Sequence, residues 1–191
     1  MLQFSLAGAP CARPSHARPL LPLLLLFAAA AASCSPTFNW REVRTEGAPL
    51  LALMPCKPEN AVRSVPLGGT PTTLHMQSCD TGGLTFAVAW AELDDAARAP
   101  EALAQWRVAA LAAIRVEPGL ALDPKTQWPV KVSGAGAAQG LVAQGSTHDN
   151  RPVQMRAVYF SRGSQIFQGA LYGAQLPEAE VTTFFEGLRL P

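Results

Sequence analysis

Hydrophobic and polar positions change their period along this chain, and each change marks an element. Between Leu20 and Ala32 the residues are almost all apolar, without periodicity. From Asn39 on, short runs separated by turn residues take over. Asn39–Thr45 and Leu50–Met54 read as short strands, ended by Pro55 and Pro58, which cannot donate to a ladder. Lys57 to Pro71 carries Pro, Gly and Ser and reads as a connection. Thr72–Cys79 alternates, with Leu74 and Met76 on one face and His75 and Gln77 on the other. Asp80-Thr81-Gly82-Gly83 is a turn, and Leu84–Trp90 places Leu84, Phe86, Val88 and Trp90 together, opposite Ala87 and Ala89. These two runs predict a hairpin.

The period then lengthens. Leu103, Trp106, Ala110, Leu111 and Ile114 recur at helical spacing. Pro100 suits the first turn, Glu101 and Arg115 suit the two ends of the helix dipole, and Pro118-Gly119 stops it. Four further strands are expected at Val130–Ala135, Gly140–Thr147, Val153–Ser161 and Gln165–Tyr172. Arg162-Gly163 is a tight turn and His148–Pro152 a longer one. After Pro177, Val181, Phe184, Phe185 and Leu188 form an apolar stripe at i, i+3, i+4, i+7. Strands outnumber helices, and successive hairpins exclude a wholly parallel sheet. The expected class is α+β: an antiparallel β-sheet, a meander, packed against two helices. With helices on one face, the other face would stay partly wet.

The apolar run at Leu20–Ala32 is too short for the ~20 helical residues that span a bilayer, and Arg13, His16 and Arg18 precede it. Length and flanks point to a signal segment over residues 1–33. Removing it takes away Arg13 and Arg18 and leaves 13 Lys and Arg against 14 Asp and Glu. Such a near-neutral chain has no basic footprint for nucleic acid. Ala31-Ala32-Ser33-Cys34 resembles the bacterial lipobox, with Ala31 where that motif usually has Leu. The resemblance implies that Cys34 carries lipid and becomes the first residue; an ordinary A-x-A-like cleavage site is the alternative. Ser35, rather than Asp, implies transit to the outer membrane. Residues 34–38 are then a short tether, and 39–191 a single α+β domain anchored to a membrane and facing the periplasm.

Cys11 leaves with the signal, and Cys34 is assigned to lipid. Cys56 and Cys79 remain as an even pair in an oxidising compartment, where disulfides persist. They are expected to be joined. A redox pair would favour close C-x-x-C spacing, and zinc would need two more ligands at tight spacing.

Ser164-Gln165-Ile166-Phe167, Leu171-Tyr172-Gly173 and the helix with Phe184-Phe185 are similar to the C-terminal end of the PsbP-like α/β/α sandwich. Leu53-Met54-Pro55-Cys56-Lys57-Pro58 and Leu74-His75-Met76-Gln77-Ser78-Cys79 resemble segments of small uncharacterised lipoproteins of proteobacteria. These resemblances imply the fold and an envelope location, and transfer no catalytic residue.

Candidate chemistry is sparse. His75 and His148 are the histidines of the mature chain, both expected to be solvated. No G-x-S-x-G elbow accompanies them. Asp80 and Asp149 with the two histidines lack metal-site spacing. Gly134-Ala135-Gly136 and Gly140 precede a strand rather than the helix that a phosphate loop requires. Asp94-Asp95 suit a helix N-terminus, and Glu42/Glu46 are the other near-paired carboxylates. Trp40, Trp90, Trp106 and Trp128 are scattered core candidates. The expectation is a non-catalytic module without cofactor or metal that binds a protein or an envelope component. A periplasmic carrier of a small apolar ligand is the alternative, and an enzyme ranks third.

Overall fold

The computed structural model describes residues 36–191 of the chain. The expected signal segment, Cys11 and the expected lipid site Cys34 lie outside the described residues. The strands are β1 (Arg41–Arg44), β2 (Leu51–Met54), β3 (Glu59–Leu67), β4 (Thr70–Thr81), β5 (Leu84–Glu92), β6 (Gln127–Trp128), β7 (Ala138–Ser146), β8 (Pro152–Arg162) and β9 (Gln165–Gly173). The helices are α1 (Ala99–Ala113) and α2 (Glu178–Glu186). The class is α+β, with a large antiparallel sheet and two helices.

β1 and β2 form a two-stranded ribbon, while the other strands make a seven-stranded sheet in the order β3-β4-β5-β9-β8-β7-β6. Every pairing is antiparallel. The expected meander is thus two hairpin runs, joined where β5 pairs with β9. Gly82 and Gly83 at φ 60° and 75° close the β4–β5 hairpin, a conformation that glycine adopts at little cost.

Strand alternation sorts side chains onto two different faces. Ala89, Ala91, Ala143, Ala157 and Ala170 face α1, whose buried side is itself rich in alanine: Ala99, Ala102, Ala110. Small residues on both surfaces let the helix lie close. The opposite face carries Phe86, Phe160 and Phe167 and receives Phe184 and Phe185 of α2, with Leu50, Ala52 and Met54 of the ribbon segment beside them. The helices therefore cover opposite faces, and both faces are dry over the central strands. This corrects the expectation of one wet face: the side chains opposite the alanines are the larger set and need cover of their own.

Three local readings also change. Lys57–Pro71 is not a connection but holds β3, an edge strand whose side chains are mostly exposed. Pro66 is tolerated there because an edge residue can turn its nitrogen away from the sheet. Val130–Ala135 is not a strand. Pro129 has no N–H with which to continue the β6–β7 pairing, and the segment instead lays buried Val132 over the aromatic face. Arg115 lies just beyond the end of α1 in the left-handed region, φ 57°, and its guanidinium turns to the β7–β8 segment at Asn150 and His148.

Thr37 and Phe38, within the expected tether, are packed on the domain. Thr81 Oγ1 donates to the Thr37 carbonyl at 2.7 Å, and the Phe38 ring lies edge-on to Phe86 at 6.2 Å. Asn39 N–H donates to the Pro55 carbonyl at 2.8 Å. The disulfide joins Cys56, after β2, to Cys79 near the end of β4, with Cα atoms 5.9 Å apart.

Candidate binding cleft

Three structural ends meet at the pole that holds the β4–β5 turn: the C-terminus of α1, the β7–β8 loop and the end of β9. Between them lies a cleft of about 540 Å³. Ile114, Val153 and Ala174 give it apolar walls, while Thr85, His148 and Tyr172 supply polar groups.

The β7–β8 loop is held from within. Thr147 N–H donates to the Arg151 carbonyl at 2.9 Å, and Asn150 N–H to the Thr147 carbonyl at 3.0 Å. Arg151 Nε donates to Asp149 Oδ2 at 2.6 Å, and the Thr147 hydroxyl donates to the other oxygen of that carboxylate. The Thr147 bond first, and Arg151 after it, hold the Asp149 carboxyl below the usual carboxylate range. Arg115 then ties loop to helix: one guanidinium nitrogen donates to Asn150 Oδ1 and the other to the His148 carbonyl at 2.8 Å.

Arg115 and Asn150 are the non-glycine residues with positive φ among the described residues, at 57° and 62°. They meet each other at the rim of the cleft. Asparagine tolerates the left-handed region because its short polar side chain bonds locally, whereas a Cβ without that option is strained. Asn150→Ala is therefore expected to be about 1 kcal/mol less stable than Asn150→Gly in urea denaturation, although both lose the Arg115 bond. Equal stabilities would show that the loop relaxes out of this geometry.

Tyr172 lines the floor, and burial pushes its hydroxyl up to about 12. Tyr159 is buried behind it and accepts a bond from Gln168 Nε2 at 2.9 Å. Burial, and secondarily Tyr172, raises the Tyr159 hydroxyl as well. Neither phenol ionises near neutral pH, so each acts as a hydrogen-bonding group rather than as a base. Arg107 on α1 is 7% exposed, and its Nε has no partner among the described residues. Desolvation lowers its pKa from the ordinary arginine value.

The sequence candidates do not assemble into one centre. His75 is half-buried: its ring stacks on Trp90 at 4.1 Å with 5° between the planes, in a small pocket shared with Glu46. His148 lines the polar cleft instead, so the two histidines serve different places. No group of three or more His, Cys, Asp or Glu has metal-site geometry among the described residues. Asp95 caps the short turn before α1 through Ala97 N–H at 2.9 Å, and Asp94 pairs with Arg98 at 3.6 Å. Glu42 pairs with Arg189. Gly134 turns at φ 77° against the Leu190 carbonyl, with no helix following. Trp128 is half-buried, with its indole N–H on the Ala157 carbonyl at 3.3 Å and Arg156 above the ring at 5.8 Å. Trp40, Trp90 and Trp106 pack against aromatic neighbours.

No helix of the described residues is long and apolar enough to cross a membrane. No family model, no curated protein and no solved structure matches this chain.

Proposed function

We infer that this chain is a lipid-anchored protein of the bacterial envelope, whose domain is a non-catalytic binding module facing the periplasm. The observation that carries the reading is the docking of Thr37 and Phe38 at the β4–β5 turn. With Cys34 as the acylated first residue, only Ser35 and Pro36 separate the lipid-bearing residue from Thr37, a fixed point on the domain. Extended chain geometry then limits that distance to about 11 Å. The pole with the β4–β5 turn would lie against the headgroups, and the cleft beside it would open near the membrane surface. The Cys56–Cys79 disulfide suits an oxidising compartment.

The cleft combines apolar walls with the Tyr172 hydroxyl and His148, which suits recognition by shape and hydrogen bonding. No nucleophile–base–orienter set lies there among the described residues, which favours binding over turnover. A carrier holding an apolar ligand between sheet and helix has less support. Tyr159 on one face and Phe86, Phe160 and Phe167 on the other are under 2% exposed and fill those interfaces.

Cell fractionation of the full chain, with mass spectrometry of the purified protein, tests the anchor. The expected product begins at Cys34, carries acyl chains and pellets with outer membranes, and Cys34→Ser moves it to the soluble fraction. A wild-type product without acyl chains would overturn the reading.

A further inference from the structure

β3 lies at the edge of the seven-stranded sheet, and the register of its neighbours fixes which of its backbone groups are free. The two-residue turn at Gly68–Gly69 makes Leu67 and Thr70 a hydrogen-bonded pair. Antiparallel alternation then points the amides of Glu59, Ala61, Arg63 and Val65 at β4. The independent β4–β5 turn at Gly82–Gly83 gives the same parity, since it turns His75, Gln77 and Cys79 towards β5 and leaves Leu74, Met76 and Ser78 for β3. The outward amides of β3 are therefore those of Asn60, Val62 and Ser64. Pro58 and Pro66 fall on the same outward parity and have no N–H, so they close this edge at both ends.

Both faces of the strand are exposed over most of its length, and Val62 is 62% exposed. Glu59 and Arg63 have no ion-pair partner among the described residues. Their spacing is self-complementary. When a second β3 lies antiparallel with Ala61 opposite Ala61, Glu59 faces Arg63 of the other copy twice across the two-fold axis. Those are non-hydrogen-bonded positions, where cross-strand side chains approach closest. Asn60 and Val62 become the hydrogen-bonded pair, and the Ser64 amide meets the Pro58 carbonyl. The alternative centring on Val62 sets Glu59 against Val65 and loses both ion pairs.

We propose that the β3 edge is the contact surface for a second copy of this chain, forming a two-fold dimer with one continuous antiparallel sheet. About six backbone hydrogen bonds and two Glu59–Arg63 pairs hold it. The isologous contact consumes the β3 edge of both copies. The opposite edge carries the two-residue β6 over part of β7 and takes no part in the contact, so the isologous assembly closes at two. One strand pairing is a small interface, and the dimer is therefore weak and concentration-dependent. It stands independently of the anchor.

Sedimentation velocity of the full chain, prepared with Cys34→Ser to keep it soluble, tests the contact. A dimer populated at roughly 100 μM is expected for the otherwise unchanged chain. Glu59→Arg and Arg63→Glu should each weaken it about tenfold, and the two together should restore it. Val62→Pro removes a central outward amide and should leave a monomer with an unchanged circular dichroism spectrum. Should that variant misfold, the charge reversals decide alone. A monomer at every concentration, or a dimer indifferent to the charge reversals, overturns the proposal.

Discussion

Phe184→Ala is expected to destabilise the domain by about 3–5 kcal/mol, the cost of deleting a fully buried aromatic whose site cannot collapse. Phe184 is 0% exposed and stands on α2 against the aromatic face of the sheet. Its ring meets Phe86 edge-on at 5.5 Å and Phe185 at 5.0 Å, arrangements that add about 0.5–1.5 kcal/mol per pair beyond area burial. Phe86 continues the contact to Trp40 at 5.5 Å and to Phe38 at 6.2 Å. A void at position 184 therefore opens beneath α2 and beside the ordered N-terminal segment together. For a domain of this size the melting temperature should fall by roughly 10 °C. Phe184→Leu, which keeps most of the volume, should cost about 1.5 kcal/mol or less. Urea denaturation of both variants measures the difference, and a loss below about 1 kcal/mol for alanine would mean that α2 is not docked on this face.

The docking of α2 is legible in the sequence, because Val181, Phe184, Phe185 and Leu188 repeat at helical spacing, and all four are buried. The β4–β5 hairpin is legible for the same kind of reason: alternation on both strands and paired glycines between them. Where sequence and structure part, burial is absent or comes from elsewhere. β3 buries little and so carries no alternation, and Ser64 and Pro66 within it, with Pro58 and Gly68 at its ends, resemble a loop. Val130–Ala135 shows apolar residues that would suit a strand, yet Val132 is buried by the aromatic face rather than by strand neighbours. Periodicity reports which side chains are covered, not which backbone groups are paired.

The cleft is the least legible part. His148 and the turn chemistry of His148–Pro152 are visible in the sequence, but the convergence of that loop with the end of α1, the β4–β5 turn and Tyr172 depends on β5 pairing with β9 rather than with a sequence neighbour. Arg115 illustrates the limit. Near a predicted helix end, a cation reads as a dipole partner, and only the left-handed residue after the helix sends it to Asn150 instead. His75 reads as fully solvated because its strand face looks polar, whereas its cross-strand partner Trp90 covers one face of its ring.

Removing the Cys56–Cys79 disulfide is expected to cost about 3 kcal/mol, from closure of a loop of roughly 24 residues in the unfolded chain. The sequence separation is 23, and the closed loop contains β3 and most of β4. The staple also decides which part loosens first. It fixes the ribbon's C-terminal end to the sheet, while the remaining backbone links to the ribbon are Leu51 N–H to the Arg189 carbonyl at 2.9 Å, its reciprocal at 3.0 Å and Asn39 N–H to the Pro55 carbonyl within the same segment. Cys79 is 5% exposed and opposes Phe86, so the Cys56→Ala/Cys79→Ala pair keeps the site apolar and isolates the effect of the crosslink. The melting temperature should drop by roughly 6–12 °C. Amide exchange should rise in β1 and β2 before it rises in β5, β8 and β9, because the central strands keep their ladders and both layers of cover. If exchange rose uniformly, the disulfide would act on the unfolded state alone. If stability did not change, the ribbon would be held by the packing of Leu50, Ala52 and Met54 in the cluster that holds Phe86, without the covalent link.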